Sequence, residues 1–244
     1  MRNQAEWLET KFARDHRGRW RASRTQVPIT SRLVTDLVAS AYAEAIETHA
    51  SGRLADLGCG KVPLYGMYRG KVIDTVCIDW PGSLHGSMHV DQFADLNSPL
   101  DLEPDSFDTV IATDVVEHLH TPQAFFVSVA RILKPGGKLI IGVPFLYWIH
   151  EAPHDYYRYT RFALEKLAAD AGLAIVSLVP YASAPEVLSD IATKAAGKRF
   201  RLAWPVYWLT IALLTLPPVK KLSAATRESM PMGYVLVAQK PSVS

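Results

Sequence analysis

The chain has 244 residues and a mass of 27.0 kDa, with 49% hydrophobic and 20% charged residues, which is enough to bury a full core and too apolar for a disordered tail. Its net charge of +2 is unevenly placed: residues 1–24 carry +4, residues 194–227 carry +7 with no acidic residue, and the remainder carries −9. The two cysteines, Cys59 and Cys77, form no C-x-x-C and no spaced framework, and the charged N-terminal stretch lacks the apolar run of a secretory signal, so reduced thiols and a cytoplasmic location are expected.

In chain order, the spacing of Leu33, Leu37, Ala41 and Ala45 predicts an amphipathic helix from Thr30 to about His49, and residues 1–49 read as an N-terminal helical cap. Four short runs rich in Val, Ile and Leu follow, "RLADLG" at 53–58, "DTVCID" at 74–79, "FDTVIAT" at 107–113 and "GKLIIGV" at 137–143. They read as buried parallel strands. Thr121-Pro122 opens a helix that ends near Leu133, where "PGG" at 135–137 stops it, and Thr160 caps another that ends at Gly172. Two further strands at 173–181 and 233–239 complete an α/β fold, a three-layer sandwich with a mostly parallel sheet.

The core is thus expected over 50–182 and again over 232–244, with a helical insertion at 183–231. Ser183 to Glu186 resembles a capping box for a helix that ends near Gly197. Residues 202–216 are apolar almost all round, with Trp204 and Trp208 near one end and Pro217-Pro218 and Lys220-Lys221 beyond. That run is shorter than the roughly 20 residues a helix needs to cross a bilayer. For the basic-flanked stretch 198–222, three roles stay open: peripheral contact with an anionic membrane, a homodimer interface or cap over the acceptor site, and binding of a substrate's lipid tail.

The loop "LADLGCGKVPLYG" at 54–66 narrows the chemistry. A dinucleotide fingerprint needs a third glycine where Pro63 stands, and the G-K-[ST] ending of a phosphate loop is missing. What is left is Asp56, Gly58 and Gly60 at one strand end and Asp79 at the next. A carboxylate at Asp79 suits ribose hydroxyls. One at Asp56 suits an ammonium group, met directly or through water.

"LADLGCG", "VCIDW", "FADLN", "FDTVIATDVVEHL" and "RILKPGGKLIIGVP" stand in the order and at about the spacing of class I S-adenosylmethionine-dependent methyltransferases, which the chain resembles over about residues 50–180. The resemblance implies a Rossmann-like seven-stranded sheet with an antiparallel last strand and S-adenosyl-L-methionine as cofactor. It further implies Gly58, Cys59 and Gly60 under the methionine part, Asp79 at the ribose, Trp80 on the adenine, and Asp95 and Leu96 at the adenine edge. Thr113 and Asp114 would border the transferring methyl, with Asp56 and His118 completing the pocket. Val62 departs from the pattern, because many members carry a further glycine there.

Some members use an E-H pair after the strand corresponding to 107–113 to bind a divalent ion, and Asp114, Glu117, His118 and His150 or His154 are ligand types. Metal-free relatives carry the same pair as a structural or cofactor-pocket feature. No metal is assigned on sequence.

After the strand at 137–143, "HEAPHDYYRYT" at 150–160 resembles a bacterial methyltransferase type 11-like subgroup associated with cell-surface polysaccharide or lipid-linked sugar synthesis. The resemblance implies a sugar, lipid-linked glycan or other small-molecule acceptor. Methyl transfer from a sulfonium needs alignment and the removal of one acceptor proton. His154 is the expected base, Asp155 the carboxylate that orients it, and His150, Glu151, Tyr157, Arg158 and Tyr159 the substrate contacts. The structural alternative is that Asp155 and Arg158 brace the loop and the tyrosines pack beneath it. For the whole chain the rival readings are an NAD(P)-dependent oxidoreductase and a non-catalytic interaction module. Nucleic acid is not an expected partner, since the basic ends lack a recognition motif.

Overall fold

The computed structural model describes residues 1–83, 86–197 and 200–242, with side chains not described at 200 and 201. Within residues 1–49 the expected helix is present over Ile29–His49, and the stretch ahead of it forms a small ribbon. After a short turn at Gln4–Glu6 come two three-residue strands, β1 (Phe12–Arg14) and β2 (Trp20–Ala22), paired antiparallel. Asp15 and Gly18 close the ribbon, with Gly18 N–H donating to Asp15 O at 2.9 Å and Gly18 at φ +73°, a conformation glycine adopts without steric cost. Phe12 and Ala22 are buried. Ala22 N–H donates to Asp36 Oδ1 at 2.7 Å, which fastens the ribbon to helix α1 (Ile29–His49).

The main sheet contains β3 (Gly52–Leu57), β4 (Val72–Asp79), β5 (Gln92–Phe93), β6 (Phe107–Thr113), β7 (Leu133–Pro144), β8 (Ala174–Tyr181) and β9 (Gly233–Gln239), in the order β5-β4-β3-β6-β7-β9-β8. All neighbours are parallel except β9, which runs antiparallel to both β7 and β8. The seven-stranded, mostly parallel sheet with its antiparallel last strand is the predicted fold. β7 begins earlier than expected and runs through the "PGG", because Gly136 N–H donates to Lys240 O at 2.8 Å and Lys240 N–H to Gly137 O at 3.0 Å. Pairing with the chain's end extends the strand into a segment that composition marks as a turn.

Alternation along the strands feeds two cores. On one face Val110 and Leu139 meet Phe125, Phe126 and Val129 of α3 (Pro122–Ile132) and Leu164 of α4 (Arg161–Asp170). On the other, Leu54, Ile111 and Ile140 meet Val38, Tyr42 and Ile46 of α1 and Tyr68 of α2 (Tyr65–Tyr68). Burial of each such side chain contributes about 1.5–3 kcal/mol. Thr160 Oγ1 caps α4 by accepting from Ala163 N–H at 3.3 Å. Thr121 does not cap α3 with its side chain; its hydroxyl donates instead to Asn97 O at 2.9 Å.

The insertion folds as α5 (Ala184–Gly197), α6 (Phe200–Leu214) and α7 (Pro217–Thr226). Ser183 and Glu186 bond each other through their side chains. On α5, Lys194 and Asp190 form a buried ion pair, and Lys194 Nζ lies 4.6 Å from the Tyr147 ring. α6 rests on Ile29 and Leu33 of α1 through Ala203 and Tyr207, which leaves Trp204, Trp208, Leu209 and Leu213 exposed. Among the described residues no single helix is long and apolar enough to cross a membrane. The pair Leu202–Leu214 and Pro217–Thr226, bent by 82°, passes that test only together. Lys198 and Arg199, part of the predicted basic flank, lie outside the described residues.

Candidate functional site

Strand order reverses at β3, with β4 on one side and β6 on the other, and ligand sites in open parallel sheets form beyond the strand ends at such a point. A cavity of about 710 Å³ opens there. Its lining includes Gly58, Cys59, Gly60, Asp79, Trp80, Asp95, Leu96, Thr113, Asp114, Glu117, His118, His150, Glu151 and His154.

One side is built by backbone turns. Gly58 has φ +70° and a Cβ there would overlap Val115, so only glycine fits. The Gly58 and Cys59 N–H groups both donate to Ile78 O, at 2.8 and 3.1 Å. Asp79 receives Gly60 N–H at 3.2 Å on Oδ2 and Trp80 N–H at 2.9 Å on Oδ1, which fixes its carboxylate at the cavity wall. Trp80 is 46% exposed, and Asp95 Oδ1 accepts from Asn97 N–H at 2.9 Å. Val62, where a glycine is common in the resembling family, has φ +49° with its side chain fully buried. The backbone therefore takes the glycine-like conformation despite the β-branched side chain.

Asp56 is placed differently from the expectation. It does not line the cavity but lies buried below the loop, where it accepts Tyr68 OH at 2.9 Å. Burial raises its carboxyl to about 7, against the Tyr68 hydrogen bond and with help from the Asp79 charge. The Cys59 thiol is pushed up by its neighbour Cys77 and by burial, which makes it unreactive.

Side chains from distant segments build the other side. Asp114, at φ +54° after β6, accepts Lys11 Nζ at 2.9 Å and Tyr42 OH at 2.7 Å. Tyr42 reaches it by crossing Gly142 of β7, where a Cβ would overlap the tyrosine hydroxyl. Burial works to raise the Asp114 carboxyl, but the Lys11 charge and the two hydrogen bonds outweigh it and hold it low. Neither Lys11 nor Tyr42 was identifiable from local spacing.

Glu117 occupies a single 3₁₀ turn, Val116–His118, and is fully buried, with neither carboxylate oxygen in a hydrogen bond. Burial raises its carboxyl, opposed by His150 and reinforced by Asp114. Its Oε1 lies 3.7 Å from His150 Nε2 and 3.9 Å from His118 Nε2. Its backbone O accepts Tyr156 N–H at 2.9 Å and Tyr157 N–H at 3.2 Å, tying the loop after β7 to the turn.

The expected pairing of His154 with Asp155 is not made. Asp155 instead accepts both Arg158 guanidinium nitrogens, at 2.6 and 2.7 Å, and His150 N–H at 2.8 Å; the Arg158 hydrogen bonds hold its carboxyl well below the usual range. Adjacent side chains in an extended loop diverge, so Asp155 faces His150 and His154 faces the cavity. His154 Nδ1 lies 3.2 Å from Tyr156 OH, and its ring is edge-on to Trp80 at 5.4 Å. Arg158 also donates to Tyr147 O and Trp148 O at 3.1 and 2.7 Å. Tyr159, buried, donates to Val116 O at 3.0 Å. Asp155, Tyr157, Arg158 and Tyr159 therefore brace the loop, while His150, Glu151 and His154 reach the cavity. No described residue of α6 lines it, so α6 is not a cap over this site.

No curated protein matches the sequence. Solved structures share the fold. The [4+2]-cyclase SpnF is 19% identical with a TM-score of 0.56, over 85% of this chain and 83% of that one. An S-adenosylmethionine-dependent methyltransferase from Mesorhizobium loti is 16% identical with a TM-score of 0.51, over 82% and 96%. Phosphoethanolamine N-methyltransferase 2 from Haemonchus contortus, in complex with S-adenosyl-L-methionine, is 19% identical with a TM-score of 0.52, over 83% and 53%. Residues 29–178, more than half of the chain, match the family described as a methyltransferase domain. With the sheet order, the glycine turn and Asp79 at the neighbouring strand end, this match places the chain in the methyltransferase domain family, as a class I, S-adenosylmethionine-dependent member.

Proposed function

We propose that this chain transfers the methyl group of S-adenosylmethionine to a hydroxyl oxygen of a small polar acceptor, with a sugar or lipid-linked glycan precursor as the favoured class. The observation that carries the reading is a cavity that joins a turn-built wall ending in Asp79 to a buried polar cluster around Asp114 and Glu117. Its volume suits a cofactor with a small acceptor. The acceptor class rests on the resemblance of the 150–160 segment.

The residues fit the cofactor. The left-handed turn at Gly58, packed under Val115, carries the loop backbone along the cavity wall, Asp79 offers its free lone pairs to ribose hydroxyls, and the exposed face of Trp80 with Leu96 gives the adenine an apolar seat. When bound, S-adenosylmethionine supplies a methyl group on a leaving group that needs no proton. The chain's remaining tasks are alignment and proton removal. His154 takes the acceptor's hydroxyl proton and Tyr156 orients its ring. Asp114, neutralised by Lys11 and fixed by Tyr42, shapes the wall beside the reacting centre.

The test is S-adenosylhomocysteine release and product mass with a panel of hydroxylated acceptors. A product 14 mass units heavier, lost at least about tenfold in kcat in His154→Ala with unchanged cofactor affinity, supports the reading. Cofactor binding without turnover on any acceptor favours a non-methylating role, which the fold accommodates in a neighbour that is a [4+2]-cyclase.

The exposed Trp204, Trp208, Leu209 and Leu213, followed by Lys220 and Lys221, support peripheral contact of α6 and α7 with an anionic lipid surface. Co-sedimentation with anionic liposomes that is unchanged in Trp204→Ser/Trp208→Ser removes this part.

A further inference from the structure

Both carboxylate oxygens of Glu117, together with His118 Nε2, are buried without a hydrogen-bond partner. An unpaired carboxylate in a protein interior carries a large desolvation penalty and calls for a compensating group. Ligand atoms of Glu117, His118 and His150 all lie within 4.8 Å of one another, and all three residues line the cavity. We propose that Glu117, His118 and His150 bind a divalent transition-metal ion of the zinc, cobalt or manganese class, which holds the acceptor oxygen.

Three features argue for a built site. First, His118 is oriented from behind by a hydrogen bond and His150 by the charge of a neighbouring carboxylate. His118 Nδ1 lies 2.5 Å from His154 O, so it carries the proton and leaves Nε2 as a lone pair facing Glu117. His150 turns Nδ1 to Asp155 Oδ2 at 3.4 Å and Nε2 to Glu117 Oε1 at 3.7 Å, and Asp155 is itself fixed by Arg158. Backbone carbonyls and carboxylates behind ligating histidines are the usual outer partners of metal sites. Second, metal–ligand bonds of about 2.1 Å set neighbouring ligand atoms roughly 3–3.5 Å apart. The observed 3.7 and 3.9 Å need a contraction of about half an ångström and the widest pair, at up to 4.8 Å, one of more than about 1 Å, which a rotation of the exposed edge of an imidazole supplies. Third, two imidazoles and one carboxylate suit zinc-class ions better than magnesium or calcium, which prefer oxygen shells.

Three protein ligands leave positions open towards the cavity. A hydroxyl bound there becomes more acidic and loses its proton to His154 more readily. The role, though not the site, rests on the methyl-transfer reading.

The full chain, dialysed against a chelator, is titrated with Co²⁺ while visible absorption is recorded, and S-adenosylhomocysteine binding is measured in parallel. The expected result is one equivalent of Co²⁺ with ligand-field bands, displaced by Zn²⁺. Affinity should fall at least about tenfold in His150→Ala and Glu117→Gln and about tenfold in Asp155→Asn, with S-adenosylhomocysteine affinity retained. No saturable Co²⁺ binding, or binding undiminished in both His150→Ala and Glu117→Gln, overturns the proposal. If Glu117→Gln does not fold, His150→Ala decides. If the wild type binds Co²⁺ as stated but no S-adenosylhomocysteine, the metal site stands and the methyl-transfer reading falls.

Discussion

The two sides of the cavity are made in different ways. The Asp79 side uses backbone turns at the ends of adjacent strands, with Gly58, Gly60, Asp79 and Trp80 linked by short-range hydrogen bonds. The Asp114 side gathers side chains from the N-terminal ribbon, α1, the end of β6 and the loop after β7, and leaves Glu117 buried without a partner. The first is a local product of the fold. The second depends on tertiary packing, so it should be the more fragile and the more adaptable to the acceptor.

The largest test of that contrast is Lys194→Ala. It leaves Asp190 buried and uncompensated and removes the support under Tyr147, at a cost of about 3–5 kcal/mol. Thermal unfolding should show it, and turnover should fall more than cofactor affinity.

Asp56 probes the foundation of the other side. Its carboxyl ionises at about 7 in the folded chain against 3.8 ordinarily, so the folded state binds more protons between those values. The stabilising contribution is present below about pH 4 and is lost as pH rises through 7. Wild-type stability should drop by about 4 kcal/mol over that range from this group, and Asp56→Asn, with no charge to bury, should flatten the drop. An unchanged pH profile would place the titrating group elsewhere.

Smaller still is Lys11→Ala, which removes the half-exposed partner of Asp114. About a tenfold loss in kcat/KM for the acceptor is expected, roughly 1.4 kcal/mol, with cofactor affinity little changed. Equal losses in both would erase the division. Val62→Gly should have the smallest effect, because relief of the left-handed backbone and loss of a buried side chain oppose each other within about 1 kcal/mol.

The sequence reads well where structure is local. Strands such as 107–113 and 233–239 were recoverable from Val-Ile-Leu runs bounded by turns, and the glycine loop with Asp79 came from spacing along one β-α-β unit. It reads poorly where partners are distant. The three-residue strands of the N-terminal ribbon are too short and too charged to show a period, and Lys11 meets Asp114 from a ribbon that Asp36 pins to α1. His154 and Asp155 were adjacent and chemically matched, yet Arg158 and His150 claim the carboxylate. Adjacency in a loop says little about which way two side chains face.

The central claim is that the Asp79 wall holds S-adenosylmethionine. Its most direct test is calorimetric titration of S-adenosylmethionine and S-adenosylhomocysteine into the wild type and Asp79→Ala, with NAD as control. The account predicts binding in the micromolar range for the wild type, a loss of at least about tenfold in Asp79→Ala from removal of charge-assisted hydrogen bonds, and no NAD binding. Equal binding by both proteins, or none by folded wild type, would contradict it.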